Sequence, residues 1–455
     1  MAWVRPTAAE AEGWFTVLRA RDPFGHRLHL ALAVAACFFA AFPTTWLEWS
    51  WWPVFVCCCV RMISHHRILG PLVWEWPVRL TIAFVVWGAL SVSWTAGSRE
   101  AWLAEWGVAR YAVFLFALWP VMNERRWLIG ALAAGVLMGN LSQVGHALGR
   151  AAGIEWLVWP RFEDRNSGWW DPVVGGTILC AALGLHLAGC ALGRSMRERA
   201  VGGVLCVATL AAIAATGTRG AWIGAAGVMV FAAAAAVLMA IHARWGSGVA
   251  RRSSARWRGG AAVVAVVVTV CGAAVWLAAG ETISRRVQET RRELTRAMEG
   301  DYSTFTGARL AMWGWAGRAF AAHPAQGVGM GGYKAWVEGR MAEEGGEQAA
   351  RPTVHAHAHS MVIHAAAATG LVGALMLIGL MAVCVWNGLR EGCGWARGYD
   401  AGPALALVGL VCAGLFDSVQ VNQQTAYWMW LLVAMCMAWR PAASGTEGGE
   451  GGGKA

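Results

Sequence analysis

The chain has 455 residues, of which 57% are apolar and only 14% charged, with a net charge of +10 and a positive mean hydropathy. Soluble globular domains carry roughly a quarter charged residues, and disordered chains are poorer in apolar ones, so both classes are excluded. The 37 basic residues are nearly all arginines spread through short connections, which leaves no soluble basic domain to dock on nucleic acid.

The N-terminus is polar and amphipathic before the first apolar run, so no cleavable signal peptide is expected and insertion starts from Leu28. Apolar stretches follow at 28–44, 46–62, 77–94, 106–123, 127–148, 171–193, 200–217, 221–243, 260–280, 368–387, 401–417 and 426–439. Each is close to the roughly 20 residues that cross a bilayer, which predicts an all-α polytopic membrane protein of about twelve transmembrane helices. Many of the 30 tryptophans stand at the ends of these runs, where an amphipathic ring anchors at the headgroup level. The 12 cysteines fall in apolar runs or, like Cys393, in a short loop. Cys57, Cys58 and Cys59 would point in different directions around a helix, and neither a disulfide framework nor a cysteine zinc site is expected.

Arginine placement sets the orientation. With the N-terminus in the cytoplasm, the clusters Arg61/Arg67, Arg125/Arg126, Arg194/Arg197/Arg199, Arg244/Arg251/Arg252/Arg256/Arg258 and Arg390/Arg397 all share the cytoplasmic side. Residues 1–280 then hold helices 1–9, 281–358 form one long external segment, 359–440 hold helices 10–12, and 441–455 are a disordered cytoplasmic tail rich in glycine. Within the external segment Ile283, Val287, Leu294 and Met298 recur at helical spacing among charges, as in a helix lying on the membrane surface. A second helix is expected from Thr306 to Phe320, then a turn forced by the glycines of 327–332, then another short helix.

Three polar features interrupt this apolar background, all on the external side. The first is the turn Thr216-Gly-Thr-Arg-Gly-Ala-Trp222, whose Arg219 either snorkels to lipid phosphates or binds an anionic substrate group through its planar fork. The second is His355-Ala-His357-Ala-His359, followed by Ser360 and His364. Alternating histidines in an extended segment share a face, but with no acidic partner nearby in sequence a general base is favoured over a metal site. The third is His323-Pro-Ala-Gln-Gly-Val-Gly-Met-Gly-Gly-Tyr333, which lacks the strand and the Lys-Ser/Thr ending of a nucleotide loop and reads as a tight turn where backbones approach closely.

Together and in this order these stretches resemble the O-antigen ligase and polymerase superfamily of bacterial inner membranes, and within it the O-antigen ligases (the WaaL family). His359-Ser360, the nine residues 361–369, Gly370 and Gly373 meet the family's histidine pattern, a register that selects His359. Thr218-Arg219-Gly220 resembles its Ser/Thr-Arg-Gly turn, and Pro324 through Gly331 its Pro-x-x-Gly-Val-Gly-x-Gly element, with Arg309 and Trp313 upstream. The similarity spans about 200–385.

The resemblance implies a metal- and cofactor-free glycosyltransferase of the C type (GT-C), its long loop a helical periplasmic cap. The donor would be an undecaprenyl-diphosphate-linked O-antigen and the acceptor a hydroxyl of lipid A-core. His359 would be the general base and Arg219 would stabilise the departing diphosphate, with Arg161 and Arg165 of the 149–170 loop and Arg309 as further diphosphate ligands. O-antigen polymerases and protein O-oligosaccharyltransferases share the turn and the histidine region. A transporter is the reading from another class, but its polar groups would sit near the bilayer midplane in repeated halves, whereas here they gather at one surface and no internal repeat is found. Asp171 and Asp417, near the same face, read as a helix cap or solvated ends.

Overall fold

The computed structural model describes residues 8–158, 166–193, 195–242, 280–281, 284–344, 354–394 and 398–437. Among the described residues the structure is helical throughout. In chain order the helices are α1 (Ala8–Arg21), α2 (Pro23–Phe39), α3 (Thr44–His65), α4 (Trp76–Leu90), α5 (Arg99–Trp106), α6 (Phe114–Ala117), α7 (Arg125–Ala152), α8 (Pro172–Leu192), α9 (Met196–Thr216) and α10 (Arg219–His242). After these come α11 (284–298), α12 (Phe305–Ala322), α13 (Tyr333–Glu343), α14 (Met361–Gly394), α15 (Gly402–Gly414) and α16 (Gln423–Met435). The ninth expected span, at 260–280, lies outside the described residues, as do the cluster from Arg244 to Arg258 and the glycine-rich tail.

Among the described residues, five helical stretches are long and apolar enough to cross a membrane: Trp76–Ser93, Trp119–Ala152, Pro172–Leu192, Met196–Thr216 and Met361–Leu389. Shorter apolar helices stand at Pro23–Phe39, Arg219–Ala235 and Tyr399–Gly414. The chain is therefore a multi-pass helical membrane protein. Large apolar side chains stay exposed along its flanks, including Val60, Ile63, Val204, Val230 and Leu375, a surface suited to lipid rather than water.

Helix starts follow from capping chemistry. Asp171 accepts from the amides of Val173 and Val174 to open α8, Ser195 from Glu198 to open α9, Thr304 from Gly307 to open α12, and Asn422 from Gln424 and Thr425 to open α16. The core lies around α8, almost every residue of which is buried. It packs on α15 at backbone distance, because a Cβ on Gly184 would lie 2.1 Å from the Leu405 carbonyl and one on Gly409 2.1 Å from that of Cys180. Small residues that let backbones touch replace the missing hydrophobic drive between helices in lipid. Of the consecutive cysteines, Cys58 is buried and Cys59 exposed.

Two apolar runs depart from simple helices. The stretch at 106–123 is a chain of short pieces, 3₁₀ at Gly107–Val113, α6, and 3₁₀ again at Trp119–Glu124. Pro120 lacks an amide donor and crowds the preceding turn, which disfavours one continuous α-helix here. Helix α14 breaks at Gly370, whose φ of +67° and ψ of −170° are non-helical. The break admits the loop before α13, since Leu371 donates to the Pro324 carbonyl at 2.8 Å.

Candidate active site

The histidine run lies in the extended segment that leads into α14. His359 is the one non-glycine residue with positive φ (+48°) among the described residues, a conformation that costs about 1–2 kcal/mol in a side-chain-bearing residue. Neighbours hold it there. The Trp313 indole donates to the Ala358 carbonyl at 2.9 Å, the Ala358 amide donates to His364 Nδ1 at 3.4 Å, and Gln420 Nε2 donates to the Met361 carbonyl at 3.0 Å. Strain maintained by surrounding contacts is characteristic of functional positions.

The turn between α15 and α16 supplies what the sequence could not place, an acid beside these histidines. Asp417 Oδ1 lies 3.7 Å from His359 Nδ1, and the Asp417 side chain is nearly buried. The rings of His355 and His357 lie 5.2 and 4.5 Å from that of His359. Burial and the neighbouring His359 and His364 push the His357 pKa down to about 4, so it is neutral at physiological pH. His364 points the other way. Its Nε2 meets Glu105 Oε1 at 3.1 Å, and Glu105 Oε2 accepts from the Gly331 amide at 2.8 Å. Burial raises the Glu105 pKa, but His364 and the Gly331 amide outweigh it and hold the carboxyl below its ordinary value. Glu105 thereby ties α5 to both the histidine segment and the glycine-rich turn.

Arg219 opens α10, and its guanidinium is engaged. Nη1 and Nη2 contact the two carboxylate oxygens of Glu293 at 2.7 and 3.2 Å, and Nη2 reaches Glu289 at 3.2 Å. Both acids lie on α11, which docks through its polar side while Val287, Leu294 and Met298 remain exposed. Burial raises the Glu293 pKa, but the hydrogen bonds and charge of Arg219 and the donors of Thr306 bring it below the ordinary value. Gly220 packs against Phe416, where an added Cβ would lie 3.2 Å from the Phe416 Cβ. Phe416 adjoins Asp417 in the chain and the Trp313 ring in space, at 6.3 Å. Phe416 and Asp417 thus connect the arginine turn to the histidine segment.

The glycine-rich turn is a backbone stitch. Gly327, Gly329 and Gly331 all have positive φ. A Cβ at each would fall within 2.4 Å of backbone atoms of Ala368, Thr95 and Ala101 respectively. The Val328 amide donates to the Ala367 carbonyl, and the Ala96 amide to that of Val328. The turn fastens the head of α14 to the connection between α4 and α5.

The remaining residues singled out by sequence are less central. Arg161 and Arg165 lie outside the described residues. Their loop is anchored just beyond them, where the amides of Ser167 and Gly168 donate to His146 Nδ1 at 3.4 and 3.1 Å. Arg309 is half-buried on α12, one turn before Trp313. Asp171 is the cap of α8, whereas Asp417 is not a cap but the partner of His359.

Residues 204–378 match the family model described as O-antigen ligase. Over these residues the chain is similar to the O-antigen ligase superfamily. No curated protein matches the chain. The matched stretch runs from α9 through Arg219, α11 to α13 and the histidine segment to just past the Gly370 break, so it contains both polar clusters. Asp417 and Glu105, which face His359 and His364, are contributed from outside it.

Proposed function

We propose that the chain is an O-antigen ligase of the WaaL kind, moving a polysaccharide from undecaprenyl diphosphate to lipid A-core at the periplasmic face of the bacterial inner membrane. The observation that carries this reading is the pairing of His359 with Asp417 beside the Arg219 turn. A base and a cation stand at one end of the helices, the arrangement required to break a bond between an anomeric carbon and a diphosphate.

In this reading the acceptor hydroxyl gives its proton to His359 as its oxygen bonds to the anomeric carbon. The bond from that carbon to the diphosphate oxygen breaks, and undecaprenyl diphosphate leaves with the electron pair. Asp417, 3.7 Å from His359 Nδ1, presents a negative charge to the imidazole as it takes up the proton. Arg219 receives the developing phosphate charge, aided by Arg161, Arg165 and Arg309. The single displacement inverts the anomeric centre and uses no metal or cofactor. Because the Arg219 fork holds Glu293, a diphosphate enters by displacing that carboxylate. Twelve spans of the GT-C type, an N-terminus in the cytoplasm and a cap over 281–358 complete the architecture.

The test is reconstitution of the purified protein with lipid-linked glycan and three acceptors in parallel: lipid A-core, a second lipid-linked repeat and a pilin-type protein. A ligase glycosylates the first. Product on the second or third instead would make the chain an O-antigen polymerase or a protein O-oligosaccharyltransferase. Glycan crossing a vesicle wall without a new bond would make it a transporter.

A further inference from the structure

The histidine segment and the turn before α16 assemble a donor set larger than proton transfer needs. One ligand atom each from His357, His359 and Asp417 lies within 4.8 Å of the others. Among the described residues, His359 Nδ1 has no hydrogen-bond partner although it is buried. Its nearest charged neighbour, Asp417 Oδ1 at 3.7 Å, is too distant for a hydrogen bond but close for two ligands of one ion.

The geometry can be compared with a metal's requirement. Zinc bonds of about 2.0–2.2 Å in a tetrahedron place neighbouring ligand atoms roughly 3.3 Å apart. The pair His359–Asp417 is already near that spacing, and His357 needs a shift of about 1.5 Å or less, within reach of side-chain rotation. The backbone is set, because His359 is held at positive φ with its ring 4.5 Å from that of His357. The exposed His355, its ring 5.2 Å from that of His359, stands where a fourth donor or a water would complete the shell. Two imidazoles and one carboxylate suit zinc, copper or nickel, whereas magnesium and calcium ask for six or more oxygens.

We propose that His357, His359 and Asp417 form a binding site for a transition-metal ion of the Zn²⁺ class, and that the ion inhibits transfer. Inhibition follows because the ion occupies both the base and the carboxylate that faces it. The site stands on geometry alone; the inhibitory effect rests on the transferase reading given above.

The experiment uses the full-length protein in detergent with any affinity tag removed, titrated with Zn²⁺ by calorimetry and with Co²⁺ by visible absorption. Wild type should bind one Co²⁺ with the intense bands of tetrahedral coordination, and Mg²⁺ should not displace it. His357→Ala and Asp417→Asn should each weaken binding by at least the roughly ten- to hundredfold that loss of an outer-shell partner alone produces. Absence of Zn²⁺ binding to wild type, or binding undiminished in both variants, overturns the site. No glycan enters this measurement, so it stands even where no acceptor is glycosylated. In the transfer assay Zn²⁺ should slow wild type reversibly on chelation, and the same Zn²⁺ should remove a smaller fraction of whatever activity His357→Ala retains. Bound zinc with an unchanged transfer rate overturns the inhibition.

Discussion

Glu293 fills the guanidinium fork of Arg219 with both of its carboxylate oxygens, at 2.7 and 3.2 Å. A planar bidentate acceptor is what a phosphate also presents to arginine, so in the proposed reaction the acid of α11 occupies the place a departing diphosphate would take. The pair joins the first turn of α10 to a helix whose large apolar residues Val287, Leu294 and Met298 face outward. The proposed reaction therefore links donor entry to the position of α11.

This relation separates two roles for Arg219. Glu293→Gln removes the competing charge, and the KM for lipid-linked donor should fall while turnover persists. Arg219→Lys keeps the charge but loses the fork. A charge-assisted hydrogen bond is worth about 1.5–3 kcal/mol, and at about 1.4 kcal/mol per decade turnover should drop about ten- to a hundredfold. Steady-state rates against donor concentration check both, each variant being tested for folding. Equal damage from the two substitutions would reduce Arg219 to a tether for α11.

Acid should release the same helix. The Glu293 pKa is held below its ordinary 4.5 in the folded protein. A carboxylate with a depressed folded pKa contributes stability that is present above its unfolded value and is lost as pH falls through the folded one. The protection factors of amides in 284–298 should thus be constant above the ordinary carboxyl pKa of 4.5 and fall as pH drops below it. Glu293→Gln should abolish that step.

The glycine stitch predicts a graded response. Gly153 has φ of +69° with nothing within 4 Å of an added Cβ, so Gly153→Ala should cost only the left-handed penalty of about 1–2 kcal/mol. Gly329 has φ of +84°, and its Cβ would lie 2.4 Å from the Thr95 Cα. Gly329→Ala should lower the melting temperature in detergent more than Gly153→Ala, with loss of folded yield. Equal melting points would contradict the stitch.

Much of this was readable from local pattern. The positions of the apolar helices and of the glycine turn follow from runs and spacings within a few tens of residues, whereas His359 was singled out by its resemblance to the family's histidine pattern. The partners did not, because each is a contact between distant parts of the chain. Glu105 meets His364 across 259 residues and Glu293 meets Arg219 across 74. Asp417 sits at the end of an apolar run, where an acid looks like a cap, as Asp171 proved to be. The broken path at 107–124 was signalled by Pro120 but hidden by the apolar composition around it.

Orientation has its own check. Single cysteines at Ser303 and at Gly394, in a background lacking the native cysteines, should differ in reaction with a membrane-impermeant thiol reagent applied from the periplasmic side. Ser303→Cys should label and Gly394→Cys should not. Reversed labelling would place Arg219 and His359 in the cytoplasm.

The central claim is that His359 takes a proton during glycosyl transfer. The most direct measurement follows labelled glycan from its lipid diphosphate to lipid A-core in liposomes carrying wild-type or His359→Ala protein at equal folded amounts. Loss of general-base assistance should slow transfer about a hundred- to ten-thousandfold, with donor binding little changed and with His355→Ala much milder. Wild-type transfer rates in His359→Ala would contradict the account.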